Sequence, residues 1–233
     1  MIVAGVDGCP DGWVAAVVDV ETLTLKFRVF ATFRELVAEL EDAVAIGIDI
    51  PIGLMSCGSR QADTLARKRL PGKTSSVFSA PHPEVRRIQD YATANARSKQ
   101  LIGKGLTIQC FHILRKIAEV NDEMTPDMQA RIIEVHPEVS FAEMNEKPIL
   151  LKKGRVCGFN ERAALLRSKS GLALIPDWKE AKNVVPGMTV RPDDTLDAIV
   201  AAWTALRFSR GEASRVPKEP EIGFGGLRAE IVF

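Results

Sequence analysis

The sequence predicts an α/β protein whose mixed sheet is flanked by helices. Two apolar, β-branched stretches flank the turn at Gly8–Gly12, and a following stretch, TLKFRVF, alternates as a third strand. The helical pattern TFRELVAELE, with Thr32 as its N-cap, then leads to the buried strand AVAIGIDIPIG. An antiparallel start followed by a helical crossover to a buried strand favours a mixed sheet with helices packed on its faces.

The remaining segments predict one domain over residues 1–233 with a helical insertion at about 59–121. Strand patterns vanish between Ser59 and Asn121, where the periodicity is mostly helical. The stretch ARIIEVHPEVSF then returns to strand composition. Two further helices follow, FNERAALLRSKSGL and PDDTLDAIVAAWTALRFSRG, which we expect to end at Gly171 and Gly211.

The composition indicates a globular, cytoplasmic protein. The chain has 233 residues, 46% of them hydrophobic, which is enough to bury a full core. Met1 leads directly into a strand, so we expect no leader, and the longest apolar run, AVAIGIDIPIGLM, is too short to cross a membrane. The four cysteines lie far apart, which excludes the close pairs of zinc and redox motifs and predicts free thiols.

The net charge of +1 conceals two blocks of opposite sign. Residues 1–59 carry three Lys or Arg against nine Asp or Glu, whereas residues 60–119 carry twelve Lys or Arg against four Asp or Glu. A basic block beside an acidic one suits a polyanionic substrate held near metal-binding carboxylates. A solvated helical surface gives the same pattern, so both interpretations stay open.

Several carboxylates stand in segments that are otherwise apolar. Asp7 and Asp49 each end a buried strand, and Glu134 lies within the apolar strand RIIEV. Asp194 and Asp197 are three residues apart at the start of the last helix, on a face that continues as a row of alanines. Because burying an unpaired carboxylate is costly, each of these acids needs a cation, several donors or a raised pKa.

Four of these acids could converge at one point. The alanine face of the last helix can approach a sheet closely, and its two aspartates would then meet the strands that end at Asp7 and Asp49. Such an oxygen-lined pocket suits Mg or Mn, and a pair of these ions can activate a water and stabilise the leaving oxygen of a phosphodiester. Two simpler explanations stay open: Asp194 could cap its helix, with Asp197 in the first turn, and Asp7 could open the turn that follows it.

Successive segments of the chain carry a family resemblance. GVDGCPDGWV, IGIDIPIGL, EVHPEVSF and DDTLDAIVAAWTA, with VFSAP and GKGLTIQCFHILRKIAEV between them, resemble the motifs of one family in the same order. That family contains predicted RNase H-fold nucleases and is catalogued as domain of unknown function family 429. The resemblance covers nearly the whole chain, and it implies an RNase H-like core with a helical insertion and a site layout related to that of Holliday-junction resolvases.

The resemblance also implies roles for the acids. Asp7 matches the first-strand metal ligand of such enzymes, Asp49 the central-strand acid, and Asp194 and Asp197 the acidic pair that opens the last helix. Glu134 matches the glutamate of the family's EVHPE motif, and we keep it as a candidate further ligand.

The same motif makes His136 a second candidate for the chemistry. If EVHPE is extended, Glu134, His136 and Glu138 point to one face of a strand, and Glu134 or His136 could reach the metal or orient the attacking water. Alternatively, Pro137 ends the strand and His136 bonds a neighbouring backbone group.

The basic insertion supplies candidate substrate contacts. In RQADTLARKRL, Arg60 and Arg67 could face substrate phosphate while Asp63 orients one of them, or all three could form a surface ion-pair ladder. The stretch GKTSS lacks the earlier glycine and the strand of a P-loop, so Lys73 and Ser76 are expected only to line the cleft.

We therefore expect a hydrolase, a Mg- or Mn-dependent nuclease or phosphodiesterase whose insertion holds the phosphates of a nucleic acid. Aromatic residues make up only 6% of the chain, which favours a short or structured nucleic acid over a long single strand. One alternative is a phosphotransferase of the actin and sugar-kinase type, because GVDGCPDGW also resembles a phosphate hairpin. Another is a non-catalytic module that keeps the fold and binds RNA or protein.

Overall fold

The computed structural model describes all 233 residues and divides the chain into two compact units. The first unit comprises Met1–Asp49, Arg131–Ser214 and Val232–Phe233, and the second comprises Ile50–Ala130 and Arg215–Ile231. The insertion predicted at about 59–121 lies inside the second unit. That unit is longer at both ends than predicted, and it includes a C-terminal segment that the sequence pattern did not assign to it.

Regular structure follows the chain in an alternating order. The strands are β1 (Ile2–Cys9), β2 (Gly12–Asp19), β3 (Leu25–Phe30), β4 (Ala43–Ile48), β5 (Ile132–Glu134), β6 (Arg215–Ile222) and β7 (Arg228–Val232). The helices are α1 (Phe33–Glu39), α2 (Gln61–Lys68), α3 (Tyr91–Ile102), α4 (Ile108–His112), α5 (Leu114–Glu123), α6 (Pro137–Asn145), α7 (Val156–Lys169) and α8 (Pro192–Ser209). Short 3-10 turns lie at Thr74–Ser76, Pro83–Val85, Asp127–Ala130, Glu180–Asn183 and Phe224–Gly226. No helix is both long and apolar enough to span a lipid bilayer.

The first unit is built on a mixed five-stranded sheet in the order β3-β2-β1-β4-β5. β2 runs antiparallel to both of its neighbours, whereas β1, β4 and β5 run parallel to one another. The apolar composition of β1 and β4 reflects this placement, because central parallel strands are buried on both faces. The predicted α/β class with a mixed sheet is confirmed.

Helix α8 packs on the centre of this sheet through small residues. A Cβ atom at Gly5 would lie 2.0 Å from the backbone nitrogen of Ala202 and 2.1 Å from the carbonyl oxygen of Ala198. A Cβ atom at Gly47 would lie 2.8 Å from the carbonyl oxygen of Ala201. The predicted alanine face is therefore in backbone contact with β1 and β4, and the approach requires glycine on the strands.

The predicted strand ARIIEVHPEVSF is shorter than expected. β5 ends at Glu134, and α6 begins at Pro137, whose fixed φ suits the first turn of a helix. Glu134, His136 and Glu138 therefore do not share a strand face, and the expectation that they do is wrong. The alternative is confirmed in its first part, because the strand ends before Pro137, whereas a bond from His136 to a neighbouring backbone group stays a prediction.

The second unit contains α2–α5 and a two-stranded sheet of β6 and β7. The side chain of Asn121 stabilises the turn at residues 51–53 of this unit. Its amide nitrogen donates to Pro51 O at 2.7 Å, and its Oδ1 accepts from Gly53 N at 3.1 Å. The helical character predicted from the sequence holds for α2–α5. The β6–β7 pair was not predicted, because its charged residues give no clear alternation.

Candidate metal centre

Asp7 and Asp49 lie at the same edge of the central sheet. Asp7 is paired with Val14 near the end of β1, and its Oδ1 accepts a hydrogen bond from Gly8 N at 2.7 Å. Asp49 directly follows β4, and its backbone nitrogen donates to Val6 O at 3.0 Å. Since β1 and β4 are parallel neighbours, their carboxyl ends meet, and the two carboxylates come together as the sequence predicted.

Asp197 completes an acidic triad with these two residues. It lies in the second turn of α8 and is 0% exposed. The close approach of α8 to β1 carries it to the strand ends. One carboxylate oxygen from each of Asp7, Asp49 and Asp197 lies within 4.8 Å of the other two. Three separate elements thus supply one compact group of ligand oxygens.

Lys153 contributes a positive charge to the triad. Its Nζ donates to Asp197 Oδ2, whereas the buried Oδ1 of the same carboxylate has no hydrogen-bond partner. Buried polar atoms are nearly always paired, and one that is not deserves a functional explanation. The orphaned Asp197 oxygen is a ligand position that no group of the protein fills.

Burial and mutual repulsion raise the pKa values of the acids. Burial and Asp197 raise the pKa of Asp49 to about 8, and burial together with Asp49 holds the pKa of Asp7 well above its ordinary value. Burial also raises the pKa of Asp197, against the opposing effect of Lys153. Although burial opposes it, the three carboxylates raise the pKa of Lys153, which therefore remains an ammonium. Without a divalent cation, burial and mutual repulsion favour protonation of these carboxyl groups, and Lys153 is the positive charge paired with Asp197.

The triad fits a divalent cation with oxygen ligands. Neighbouring and opposite ligands on an octahedral Mg²⁺ with bonds of about 2.1 Å lie roughly 2.9 to 4.2 Å apart. The three carboxylate oxygens need only a small side-chain adjustment to reach that spacing from within 4.8 Å. All-carboxylate ligation is typical of Mg²⁺, Mn²⁺ and Ca²⁺, and the chemistry of the donors does not distinguish among these ions.

Asp194 lies outside the triad. Its Oδ2 accepts from the backbone nitrogen of Arg191 at 3.2 Å, which closes a capping box at the start of α8. Burial raises its pKa to about 7, and it is close enough to Asp7 to raise the pKa of that residue too. The structure therefore gives Asp194 a capping role, although at N3 rather than at the predicted N-cap, and does not place it among the three ligands.

Neither Glu134 nor His136 belongs to the triad, and Glu134 interacts electrostatically with one of its acids. Glu134 is 5% exposed at the end of β5, and its charge helps to raise the pKa of Asp49. His136 is the N-cap residue of α6 and is partly buried. Glu134 thus lies in the electrostatic range of the acids, and a part for either residue in the chemistry stays a prediction.

Arg162 anchors both the loop that carries Lys153 and a further acid. This guanidinium is 0% exposed and donates to both carboxylate oxygens of Glu138, at 2.8 and 2.9 Å. It also donates to Leu151 O at 3.1 Å. A Cβ atom at Gly158 would lie 2.2 Å from the carbonyl oxygen of Lys152, so the loop rests directly on the first turn of α7. Together these contacts fix the backbone of the two residues that precede Lys153.

The two predicted arginine contacts to substrate are engaged within the second unit. Arg60 is 2% exposed, pairs with Asp63 and donates to Ile52 O at 2.8 Å. The prediction that Arg60 faces substrate phosphate is wrong, because its guanidinium is buried and bonds groups of the protein interior. Arg67 braces the following loop through Val77 O at 2.8 Å.

Lys73 and Ser76 lie in the same region of the second unit. Both follow α2 and are partly exposed. Their contact with substrate stays a prediction.

Sequence reasoning missed Lys153 and Arg162. Neither residue is marked by the hydrophobic periodicity of its segment. Lys153 lies in the loop LKKGR, and Arg162 in FNERAALL has the pattern of an ordinary charged residue on a helix. For Arg162 the available clue was that it directly precedes the apolar run AALL. For Lys153 the only signal was an adjacent pair of lysines before a glycine.

Comparisons with known proteins give a family but no closer relative. A search of curated proteins and a search of solved structures each find no match. A family model matches residues 5–222, which is nearly the whole chain and includes every residue of the acidic triad. The chain therefore belongs to the family described as protein of unknown function (DUF429).

Proposed function

We propose that the protein is a Mg- or Mn-dependent nuclease or phosphodiesterase with an RNase H-like core. The observation that carries the proposal is the acidic triad with its orphaned oxygen. Asp7, Asp49 and Asp197 come from two strand ends and a helix, and Asp197 Oδ1 is buried without a hydrogen-bond partner. If the cluster served stability alone, its replacement by well-packed apolar residues would often be neutral or would raise the free energy of unfolding.

Each residue of the triad has a defined task in this proposal. Asp7 and Asp49 would hold the ion from the strand ends, and Asp197 would hold it from α8 through the oxygen that no protein group occupies. At these residues a bound divalent ion would supply Lewis acidity toward a water and toward the leaving oxygen of a phosphodiester. Glu134, buried beside Asp49, is suited to orient that water, with His136 as the second candidate.

The architecture and the charge of the chain support this class of reaction. A meander of three antiparallel strands joined to two parallel ones is compatible with an RNase H-like core. Residues 60–119 carry twelve Lys or Arg against four Asp or Glu, which suits a polyanionic substrate. We propose a short or structured nucleic acid as that substrate, since aromatic stacking platforms are few.

Calorimetric Mn²⁺ titration of the native protein, of Asp7→Asn and of Asp42→Asn tests the proposal. Asp42 is an exposed acid of the first unit, so its amide variant controls for the loss of one negative charge. We expect native binding that Asp42→Asn preserves and Asp7→Asn weakens at least about 100-fold, because second-layer partners alone are worth about 10–100-fold.

Cleavage of labelled DNA and RNA hairpins and single strands is followed on the same samples. Metal-dependent cleavage that Asp7→Asn abolishes is the expected result. Absence of Mn²⁺ binding by the native protein would remove the proposal. Binding of metal and nucleic acid with no cleavage would leave a non-catalytic module in its place.

A further inference from the structure

The lysine that enters the acidic triad belongs to an exposed basic loop. We define the lysine loop as Leu150–Cys157, in which Lys152 and Arg155 are exposed and Lys153 is partly buried. Nothing lies within 4 Å of the position of a Cβ atom at Gly154, so the tip of the loop is open. The loop thus presents positive charge to solvent on the side from which Lys153 reaches Asp197.

The backbone of the lysine loop is fixed while the Lys153 side chain is free to change partner. Arg162 holds Leu151 O, Gly158 packs against Lys152 O, and Arg155 N donates to Lys152 O at 3.1 Å. The Lys153 side chain is 38% exposed, and its four-carbon stem can carry the ammonium several ångströms by rotamer changes alone. An exchange of partner therefore requires no movement of the loop.

We propose that Lys153 is the phosphate-binding residue of the site and that it exchanges partners when a divalent ion binds. In the metal-free protein the ammonium neutralises Asp197. When the ion occupies the triad, Lys153 leaves Asp197 and binds a phosphate oxygen of the nucleic acid. The inference rests on the proposed function and assigns to this site its contact with substrate.

The charges at the site favour such an exchange. A divalent ion and the ammonium of Lys153 both depend on Asp197, whose Oδ2 binds Lys153 and whose Oδ1 is open to the ion. Neutralisation of the carboxylates by the ion removes the attraction that holds the ammonium. A phosphate that enters beside the ion then supplies a new anionic partner, and Lys is well suited to bind it as a point charge.

The first arm of the test measures competition for Asp197 by Mn²⁺ calorimetry on the native protein and on Lys153→Met. Methionine keeps much of the apolar stem and removes the ammonium. We expect Lys153→Met to bind Mn²⁺ about tenfold more tightly, which corresponds to about 1.4 kcal/mol. Lys26→Met, which removes an exposed charge from strand β3, serves as the control and leaves the affinity unchanged.

The second arm measures the phosphate contact. Fluorescein-labelled DNA and RNA hairpins of one sequence are titrated in Ca²⁺, an oxygen-binding ion, and the salt dependence of the affinity is followed by anisotropy. We expect Lys153→Met to bind the hairpins more weakly and to lose about one unit of salt slope, as for the loss of one phosphate contact. Lys26→Met should keep the native slope.

Tighter metal binding together with weaker hairpin binding is a combination that a merely structural lysine does not produce. An unchanged or weaker Mn²⁺ affinity in Lys153→Met, or an unchanged salt slope, overturns the inference. So does the failure of the native protein to bind either hairpin. Failure of the proposed function can be told apart from failure of this inference, because the native protein would then show no metal binding or no cleavage.

Discussion

Each unit of the molecule contains a buried aspartate paired with a cation, but the two pairs are satisfied to different degrees. In the second unit, Asp63 Oδ1 accepts from Arg60 at 3.0 and 2.5 Å, and its Oδ2 accepts from Ala80 N at 2.8 Å. In the first unit, Asp197 binds Lys153 through Oδ2, its Oδ1 has no hydrogen-bond partner, and two further aspartates crowd it.

This difference separates an ion pair whose carboxylate is fully hydrogen-bonded from one whose carboxylate keeps a buried oxygen without a hydrogen-bond partner. Every oxygen of Asp63 has a donor, and Arg60 is a planar fork that also binds a backbone carbonyl. Asp197 instead faces a flexible, strongly hydrated ammonium and the repulsion of Asp7 and Asp49. Burial alone therefore does not distinguish Asp63 from Asp197, whereas the unpaired Oδ1 of Asp197 does.

The largest effect is expected from a substitution that removes one partner of the fully hydrogen-bonded pair Arg60–Asp63. Arg60→Met leaves Asp63 buried without its cation, and the loss of one partner of a buried pair costs about 3–5 kcal/mol of unfolding free energy. Denaturant unfolding followed by circular dichroism measures it. Arg87→Met, which disrupts a pair whose arginine is 69% exposed, is the control and should cost less than about 1 kcal/mol. Equal losses in the two variants would contradict the distinction drawn here.

A smaller effect of opposite sign is expected when the same amide substitution is made in the two units. Asp7→Asn removes a carboxyl group whose pKa is raised by burial and by Asp49. The free energy of unfolding of the metal-free protein should therefore rise by about 1 kcal/mol or more. Asp63→Asn instead removes the counter-ion of Arg60 and should lower the free energy of unfolding. Both are measured by denaturant unfolding in EDTA. A loss of stability in Asp7→Asn would mean that its carboxylate serves the metal-free fold.

A third effect is graded with pH and belongs to the unsatisfied cluster. The pKa of Asp49 is near 4 in the unfolded chain and is raised to about 8 in the folded protein. Between these values the folded state binds more protons, so the free energy of unfolding in EDTA should fall as the pH rises through that window. Metal binding displaces those protons, so Mg²⁺ should stabilise the protein more at about pH 8 than at about pH 5.

Asp49→Asn provides the comparison for this pH effect. It should flatten the fall in stability, because the residue that keeps its proton in the folded state is gone. A native protein whose stability in EDTA rises over the same window would contradict the raised pKa of the cluster.

Much of the candidate site could be predicted from local patterns. Asp7 and Asp49 stand out because they end apolar strands, and parallel strand ends necessarily meet at one edge of a sheet. Asp197 stands out because it extends the alanine face of α8, which contacts Gly5. The prediction for Arg60 was wrong, since a charge pattern does not reveal which polar groups a side chain will meet, and metal ligation by Asp194 stays a prediction.

The sequence by itself determined the order of the elements from β1 to β4, the N-cap of α1 and the face of α8 that approaches the sheet. Those features depend on periodicity, φ preferences and the size of side chains, which act over a few residues. Only the tertiary structure decided that Lys153 enters the triad, that Asp194 stays outside it and that Arg162 fixes the lysine loop. Such contacts join residues distant in sequence, and the competition among donors for each buried oxygen is settled only when the chain has packed.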